Sequence, residues 1–405
     1  VVTEPSDASV RDRAAAATSP ASHGALLQLI RARSGATRQQ LLAATGMSRT
    51  TLFERLDGLF QHGLIYQAGL APNGGSRSAP GRPSEILRWD DRGRVVLVLD
   101  LGQTHARICV TTVRGQVLRM RELAVSIDVD AETYLAQAHE IGRILLTAGT
   151  DETLVGVGVG IPGPVNSRTG VLGRSTTMPQ WQHYPLLERE RQHWNVDVVI
   201  DNDARAFAFG EASVAGPHDT LLAVKFATGI GAGLVSAGHL LEGSDGTAGD
   251  IGHVRLSVDG PPCTCGRHGC LAAWASGAAL LRQLAPVGVH QLDDIVARVA
   301  AGDAEVVAAI DQAVERLAGV LAPVVAAVNP DTLVLGGKLG RLPRVVAGLD
   351  ALIRDDVSER AREHLVVSVG RLGSDGAMVG LSQRVVDLAF APGAIDAQIA
   401  AAPAS

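Results

Sequence analysis

Leu221-Leu222-Ala223-Val224-Lys225-Phe226-Ala227-Thr228-Gly229-Ile230-Gly231-Ala232-Gly233 decides the fold. An apolar strand over Leu221–Phe226 runs into a glycine-rich turn at Gly229–Gly233, then a short strand and a turn at Gly238. The same figure occurs earlier, as Val95–Leu99, a turn at Gly102, a strand over His105–Val113 and a turn at Gly115. After each hairpin the chain alternates strands and helices, as far as about Phe390. Two such halves predict a duplicated α/β domain over 91–390, with lobes at about 91–215 and 216–390. A cleft between the halves is where a ligand binds.

The remainder of the 405 residues must supply more than this. At roughly 150 residues per domain, two or three domains are expected. Hydrophobic residues make up 46% and charged residues 19%, which suits a globular core, and with only 3% aromatics that core is aliphatic. Four cysteines exclude a disulfide scaffold. The longest apolar run, Leu317–Val328, is 12 residues with Pro323 inside it, too short for a membrane span and right for a buried helix. Arg11 and Arg13 precede alanines but no stretch of signal-peptide length follows. A cytoplasmic protein is expected. Residues 1–20 read as disordered and 391–405 as a flexible tail.

Net charge is −6, unevenly spread. Residues 1–90 hold ten arginines against seven acids, whereas the remainder is acidic. Within the basic stretch, Leu26, Leu27, Leu29 and Ile30 predict a helix ending near Gly35. Thr37 caps a second helix over Arg38–Ala44, Gly46 turns the chain, and Ser48 caps a third over Arg49–Phe60. Leu52, Leu56 and Leu59 share one face of that third helix, while Arg49, Thr50, Phe53 and Glu54 point away. Strands at Leu64–Ala68 and Glu85–Trp89 follow. Residues 21–90 therefore predict a winged helix-turn-helix, with the third helix entering a DNA major groove. The segment Ala71–Ser84 is a slack loop or a wing tip whose Arg77 and Arg82 reach phosphates. The candidate DNA-contacting residues are Thr37, Ser48, Arg49, Thr50, Thr51, Glu54, Arg77 and Arg82.

Several motifs carry chemistry. Asp100-Leu101-Gly102-Gln103-Thr104 puts an acid and free backbone N–H groups at a strand end, or is a plain hairpin turn. In Thr228-Gly229-Ile230-Gly231-Ala232-Gly233, alternate glycines allow close approach of an anion. Gly158-Val159-Gly160-Ile161-Pro162-Gly163-Pro164-Val165 is a buried strand entering a rigid turn. Asp201-Asn202-Asp203 closes a strand before a helix, so it either binds sugar hydroxyls or caps that helix. The most specific spacing is Cys263-Thr264-Cys265-Gly266-Arg267-His268-Gly269-Cys270, with His253 upstream. Three thiolates and one imidazole suit tetrahedral zinc with no open position, hence a structural site. Cys109 lies apart and reads as core.

In chain order these motifs, with Gly249-Asp250-Ile251-Gly252-His253 and Asn329-Pro330 leading to Gly336-Gly337, resemble the ROK family over about 24–385. That family groups repressors, open reading frames and sugar kinases. The resemblance implies an actin-like, hexokinase-like two-lobed fold. It implies a ligand site of Pro162, Gly163, Asn202, Asp203, Asp250 and His253, with Asp203 in the position of the kinases' base. It also implies phosphate-loop positions at Asp100, Gly102, Thr104, Thr228, Gly229 and Gly231, which in the kinases hold ATP and Mg²⁺. Three positions depart from the family pattern. Asp250 and Ala272 stand where Glu is usual, and Gln103 stands for a glycine.

On this reading the chain is expected to be a DNA-binding transcriptional regulator of carbohydrate-related genes, a repressor rather than an enzyme. Its expected cofactor is structural Zn²⁺, held by His253, Cys263, Cys265 and Cys270. Its expected partners are operator DNA, a sugar or sugar-derived effector, and one or three further copies of itself. The alternative is an active ATP-dependent sugar kinase with an accessory DNA-binding head, and a third reading is a DNA-binding protein indifferent to sugars.

Overall fold

The computed structural model describes residues 21–70, 84–173, 178–216 and 219–401. The chain divides into two compact units, one formed by residues up to Arg94 together with those from Val386 onward, the other by Val95–Val385.

In the first unit, helix α1 (His23–Ala32), strand β1 (Ala36–Thr37), helices α2 (Arg38–Thr45) and α3 (Arg49–Gln61), and strands β2 (Ile65–Leu70) and β3 (Glu85–Trp89) follow in order. Local chemistry sets each boundary. Thr37 and Gln40 form a capping box on α2, and Gly46 ends it in the left-handed region at φ 66°. Ser48 accepts from Thr51 N to start α3. Leu26, Leu27, Ile30, Leu41, Leu52 and Leu59 are fully buried between the helices. The three strands pair in the order β1-β3-β2. The proposed wing tip, with Arg77 and Arg82, lies outside the described residues.

The second unit opens with β4 (Arg94–Leu101), β5 (His105–Thr112), β6 (Val117–Ala124), α4 (Ala131–Thr147), β7 (Thr153–Ile161), α5 (Leu186–Trp194), β8 (Asp197–Asn202) and α6 (Asp203–Val214). It continues with β9 (Thr220–Phe226), β10 (Ile230–Ser236), β11 (His239–Leu240), α7 (Leu271–Ala275), α8 (Gly277–Leu284), α9 (Leu292–Ala300) and α10 (Ala304–Val328). The last elements are β12 (Thr332–Gly336), α11 (Gly337–Gly340), α12 (Pro343–Asp356), α13 (Glu359–Arg362), β13 (Val366–Val369) and α14 (Gly376–Ala389). Two five-stranded sheets result, ordered β6-β5-β4-β7-β8 and β11-β10-β9-β12-β13. Numbered within each half, both orders are the same, so the duplication expected from the hairpins is real at the level of topology. Each central strand is apolar over most of its length, as suits a strand covered on both faces. Val95–Leu99 are all buried, as are Leu221–Val224. The apolar run Leu317–Val328 closes α10, and Leu317, Leu321 and Val325 of that run are fully buried.

The lobes exchange a helix. Helix α6 leaves the first sheet yet packs chiefly on β9 and β10 of the second. Helix α14 leaves the second sheet yet lies on β7 of the first, where a Cβ at Gly158 would sit 2.9 Å from Leu381 Cβ. Thr111 and Ser382 hydroxyls meet there at 2.7 Å in a fully buried hydrogen bond. Where the two helices cross, glycine removes the obstacle: a Cβ on Gly210 would run into Gly376 O, and one on Gly380 into Ala206 O. The sequence boundary near 215 therefore does not separate two packing units, because α6, which ends there, packs on the second sheet and α14, far downstream, packs on the first.

The chain end differs from expectation. Residues 391–405 read as a loose tail, but Pro392–Ala401 form helix α15, packed on α1. Ile395 is fully buried, and Asp396 Oδ1 accepts from Gly24 N at 2.9 Å. Just before it, Phe390 packs edge-on against Trp89, with ring centres 5.1 Å apart. Proline at the first helical position and a run of alanines favour helix, and the Pro-Gly opening that suggested slackness costs nothing there.

Candidate functional site

Asp203 is the first residue of α6, and its neighbours determine what it can do. Asn202 caps the helix: its Oδ1 accepts from Ala204 N at 2.9 Å, while its Nδ2 donates to Gly163 O at 3.2 Å. The cap is thus present at Asn202, and its amide also ties the Pro162-Gly163 turn to the helix start. Asp201, one residue earlier, is fully buried. It accepts from Arg205 Nε at 2.7 Å and from Arg384 Nη1 on α14. Arg384 also donates to Glu242 at 2.8 Å, so a buried charge network fastens the base of α6.

Asp203 itself points to the cleft and meets Lys225 of β9. Lys225 Nζ donates to Asp203 Oδ2 at 2.7 Å, and the two side chains are 24% and 22% exposed. Burial works against the Lys225 ammonium, but Asp203 and Asp100 outweigh it and raise its pKa. Burial pushes the Asp100 carboxyl up, with Lys225 pulling the other way. The sequence reading missed Lys225, Arg205, Arg384 and Glu242.

The two glycine turns are not equivalent. Gly102 N donates back to His105 O at 2.8 Å, a tight turn that leaves Thr104 exposed. In the second hairpin, a Cβ at Gly229 would meet nothing within 4 Å, so the backbone beside Thr228 is open. Gly231, expected to admit an anion, is glycine for another reason: a Cβ there would lie 2.8 Å from Ala204 Cβ. It lets α6 press onto β10.

Below the Pro162-Gly163 turn lies a cavity of about 480 Å³, lined by Pro164, Asn166, Thr169, Gln182, His183, Asp245 and Thr247 among others. Val171, Leu172 and Gly173 complete a lining whose exposed surface is mainly apolar.

His253 ends a single helical turn, Ile251–His253, beside half-exposed Asp250. Its Nδ1 lies 3.3 Å from Cys263 Sγ, and Cys265 Sγ lies 3.7 Å from Cys270 Sγ. One ligand atom from each of the four residues falls within 4.8 Å of every other. Tetrahedral bonds of about 2.3 Å place sulfurs roughly 3.8 Å apart, so the cluster has the dimensions of a metal centre. Left-handed Gly266 and Gly269, at φ 84° and 70°, fold the knuckle. Burial pushes the Cys265 thiol up, but Arg267 and the neighbouring cysteines bring it down to about 7, while Cys270, with burial leading, is pushed up to about 12. Asp250 approaches His253 Nε2 at 3.9 Å, on the side away from the sulfurs. Ala272 follows the knuckle on α7, and a Cβ on Gly252 would lie 3.5 Å from its Cβ. The position that lacks a carboxylate therefore adjoins the turn carrying His253. Cys109 is fully buried in β5, with its thiol pushed up to about 12 by that burial.

In the first unit Arg49, Thr50 and Glu54 are exposed on α3, and Ser48 Oγ shares a 2.9 Å hydrogen bond with the Thr51 hydroxyl. Thr37 departs from this set. It is buried and its hydroxyl accepts from Gln40 N, so it is a cap and not a surface contact.

Two sheets of one topology, a traded helix pair and a cleft carboxylate at a helix start define an actin-like two-lobed protein. The chain belongs to the ROK family, whose profile matches residues 96–387. It is 25% identical to the xylose repressor of Bacillus subtilis (strain 168) over 372 residues, 89% of this chain and 94% of that one. It is 28% identical to the glucokinase of Thermotoga maritima over 268 residues, 62% of this chain and 84% of that one. Among solved structures, a ROK family transcriptional regulator, a homolog of the E. coli MLC protein, superposes with a TM-score of 0.77 at 24% identity, covering 93% of this chain and 98% of its own. Among the described residues no helix is long and apolar enough to cross a membrane.

Proposed function

We propose that this chain is a sugar-responsive transcriptional repressor, with residues 21–90 as a winged helix-turn-helix and the ROK domain as its sensor. The observation that carries the reading is coverage. The likeness to a xylose repressor runs over 89% of the chain, head included, while the likeness to a glucokinase stops at 62%. The head's construction supports it: α2, a glycine turn and α3 present a short polar surface at Arg49, Thr50 and Glu54, as a recognition helix does. DNA with two-fold half-sites calls for paired heads, hence a homodimer or a dimer of dimers. A sugar-like ligand bound near Asp203, Asp250 and the Pro162-Gly163 turn favours one lobe arrangement and shifts the population of DNA-competent protein.

Zinc fits the knuckle by donor chemistry: three soft sulfurs and one imidazole nitrogen, with no fifth donor among them. His253, Cys263, Cys265 and Cys270 would hold it, and it would supply rigidity to the loop that carries Asp250. Sugar kinase activity remains the second reading because the kinase relatives share the cleft and Asp203 is retained.

The test is selection of bound duplexes from a random pool by the full-length protein, followed by titration. A sequence-specific site is expected, and Arg49→Ala should weaken it by about 1–3 kcal/mol if its guanidinium reads a base. Absence of any sequence preference at low salt would end the regulator reading. ATP-dependent phosphorylation of a hexose, lost in Asp203→Asn, would establish the kinase instead.

A further inference from the structure

We propose that Lys225 is a resident counter-cation that occupies the position a divalent ion needs in this cleft, so that the cleft takes its ligand without metal. The inference rests on the reading of Asp203 as a cleft residue, and it names what sets that site apart.

Three elements converge here. Asp100 comes from the end of β4 in the first sheet, Asp203 from the start of α6, and Lys225 from β9 in the second sheet. The ammonium is held at 2.7 Å from Asp203 Oδ2. It is also close enough to Asp100 for each to feel the other's charge. Lys225 pairs with Gly231 of β10 on one side and Gly336 of β12 on the other. A Cβ at Gly231 would meet Ala204 and one at Gly336 would meet the Phe207 ring, so α6 packs over the flanking glycines and its first residue, Asp203, is brought against the ammonium. The next residues along β9, Val224 and Phe226, are fully buried.

The consequence is electrostatic. A hard dication binds where several oxygen ligands stand without a competing cation. Here one oxygen of Asp203 is already taken by a group that has only donors and carries positive charge. A magnesium ion between Asp100 and Asp203 would have to displace the ammonium or sit against it. A neutral polyol has no such conflict, since hydroxyls can donate to the free oxygen of Asp203. An ordinary partly exposed ion pair would stabilise the fold and leave metal affinity unaffected, so the two roles separate in one measurement.

The measurement is Mn²⁺ binding, followed by electron paramagnetic resonance of free Mn²⁺, on full-length protein in its as-purified zinc state. The soft donors of the knuckle hold zinc against manganese, so they do not contribute. Wild type and Lys225→Arg should bind Mn²⁺ weakly. Lys225→Met should bind it about tenfold more tightly or better, and Lys225→Met with Asp203→Asn should lose the gain. If Lys225→Met does not fold, Lys225→Gln, which keeps the stem and a donor but drops the charge, carries the same expectation. Wild type binding Mn²⁺ as tightly as the folded uncharged variant would overturn the proposal. So would a gain that survives Asp203→Asn. DNA binding is not read in this experiment, so failure of the repressor reading and failure of this inference leave different marks.

Discussion

The cysteine knuckle and the foot of α6 handle buried polar groups in opposite ways. In the knuckle, four donors lie within 4.8 Å of one another, and the protein cation beside them, Arg267, sits against Cys265. At the foot of α6, every carboxylate already has a protein cation: Asp201 has Arg205 and Arg384, and Asp203 has Lys225. One region has the donors to take a metal ion from outside, and the other is completed from within the chain. Their sensitivity to chelators and to substitution should differ accordingly.

The largest effect is expected at the knuckle. Cys263→Ser should reduce bound zinc from about one per chain to near none and destabilise the body by on the order of 5 kcal/mol, since structural zinc binds with about 10–16 kcal/mol. Metal analysis with thermal melting measures both. Chelation of the wild type should reproduce the melt, and a chelator without effect would break the comparison. Next comes Asp201→Ala, which leaves Arg205 with backbone carbonyls alone and Arg384 with Glu242 alone. Removing one partner of a buried pair costs about 3–5 kcal/mol, and this loss should be indifferent to zinc. Urea unfolding with and without chelator tests that independence. The smallest is Asn202→Ala. Loss of a cap costs about 0.5–2 kcal/mol, and the Gly163 bridge goes with it. Here the sharper readout is ligand affinity, which should fall more than stability does, because the Pro162-Gly163 turn is released.

The knuckle was legible because its ligands lie within 18 residues of sequence, so spacing alone brought them together. The head was legible for a similar reason: caps at Thr37 and Ser48 and a turn at Gly46 are local chemistry. The foot of α6 was not. Arg384 reaches Asp201 across 183 positions, and Lys225 reaches Asp203 only because α6 leaves its own sheet for the other. Nothing in a linear pattern announces a helix exchange. Gly231 shows the converse: packing against Ala204 by itself requires a glycine there, a reason no linear pattern displays. Helix α15 was missed because Ile395 and Ile399 are its only large apolar residues, too few among Ala, Pro and Gly to show a period.

That last helix sets a timetable. Phe390 and Ile395 fill the same small core as Trp89 and α1, so a unit begun near His23 is finished only after the whole second unit has been made. About 300 residues separate the two contributions, and at about 5–20 residues per second the head waits on the order of half a minute for its missing side. A nascent chain interrupted anywhere in that interval carries a first unit with one side of its core, the side built from Phe390 and Ile395, still missing.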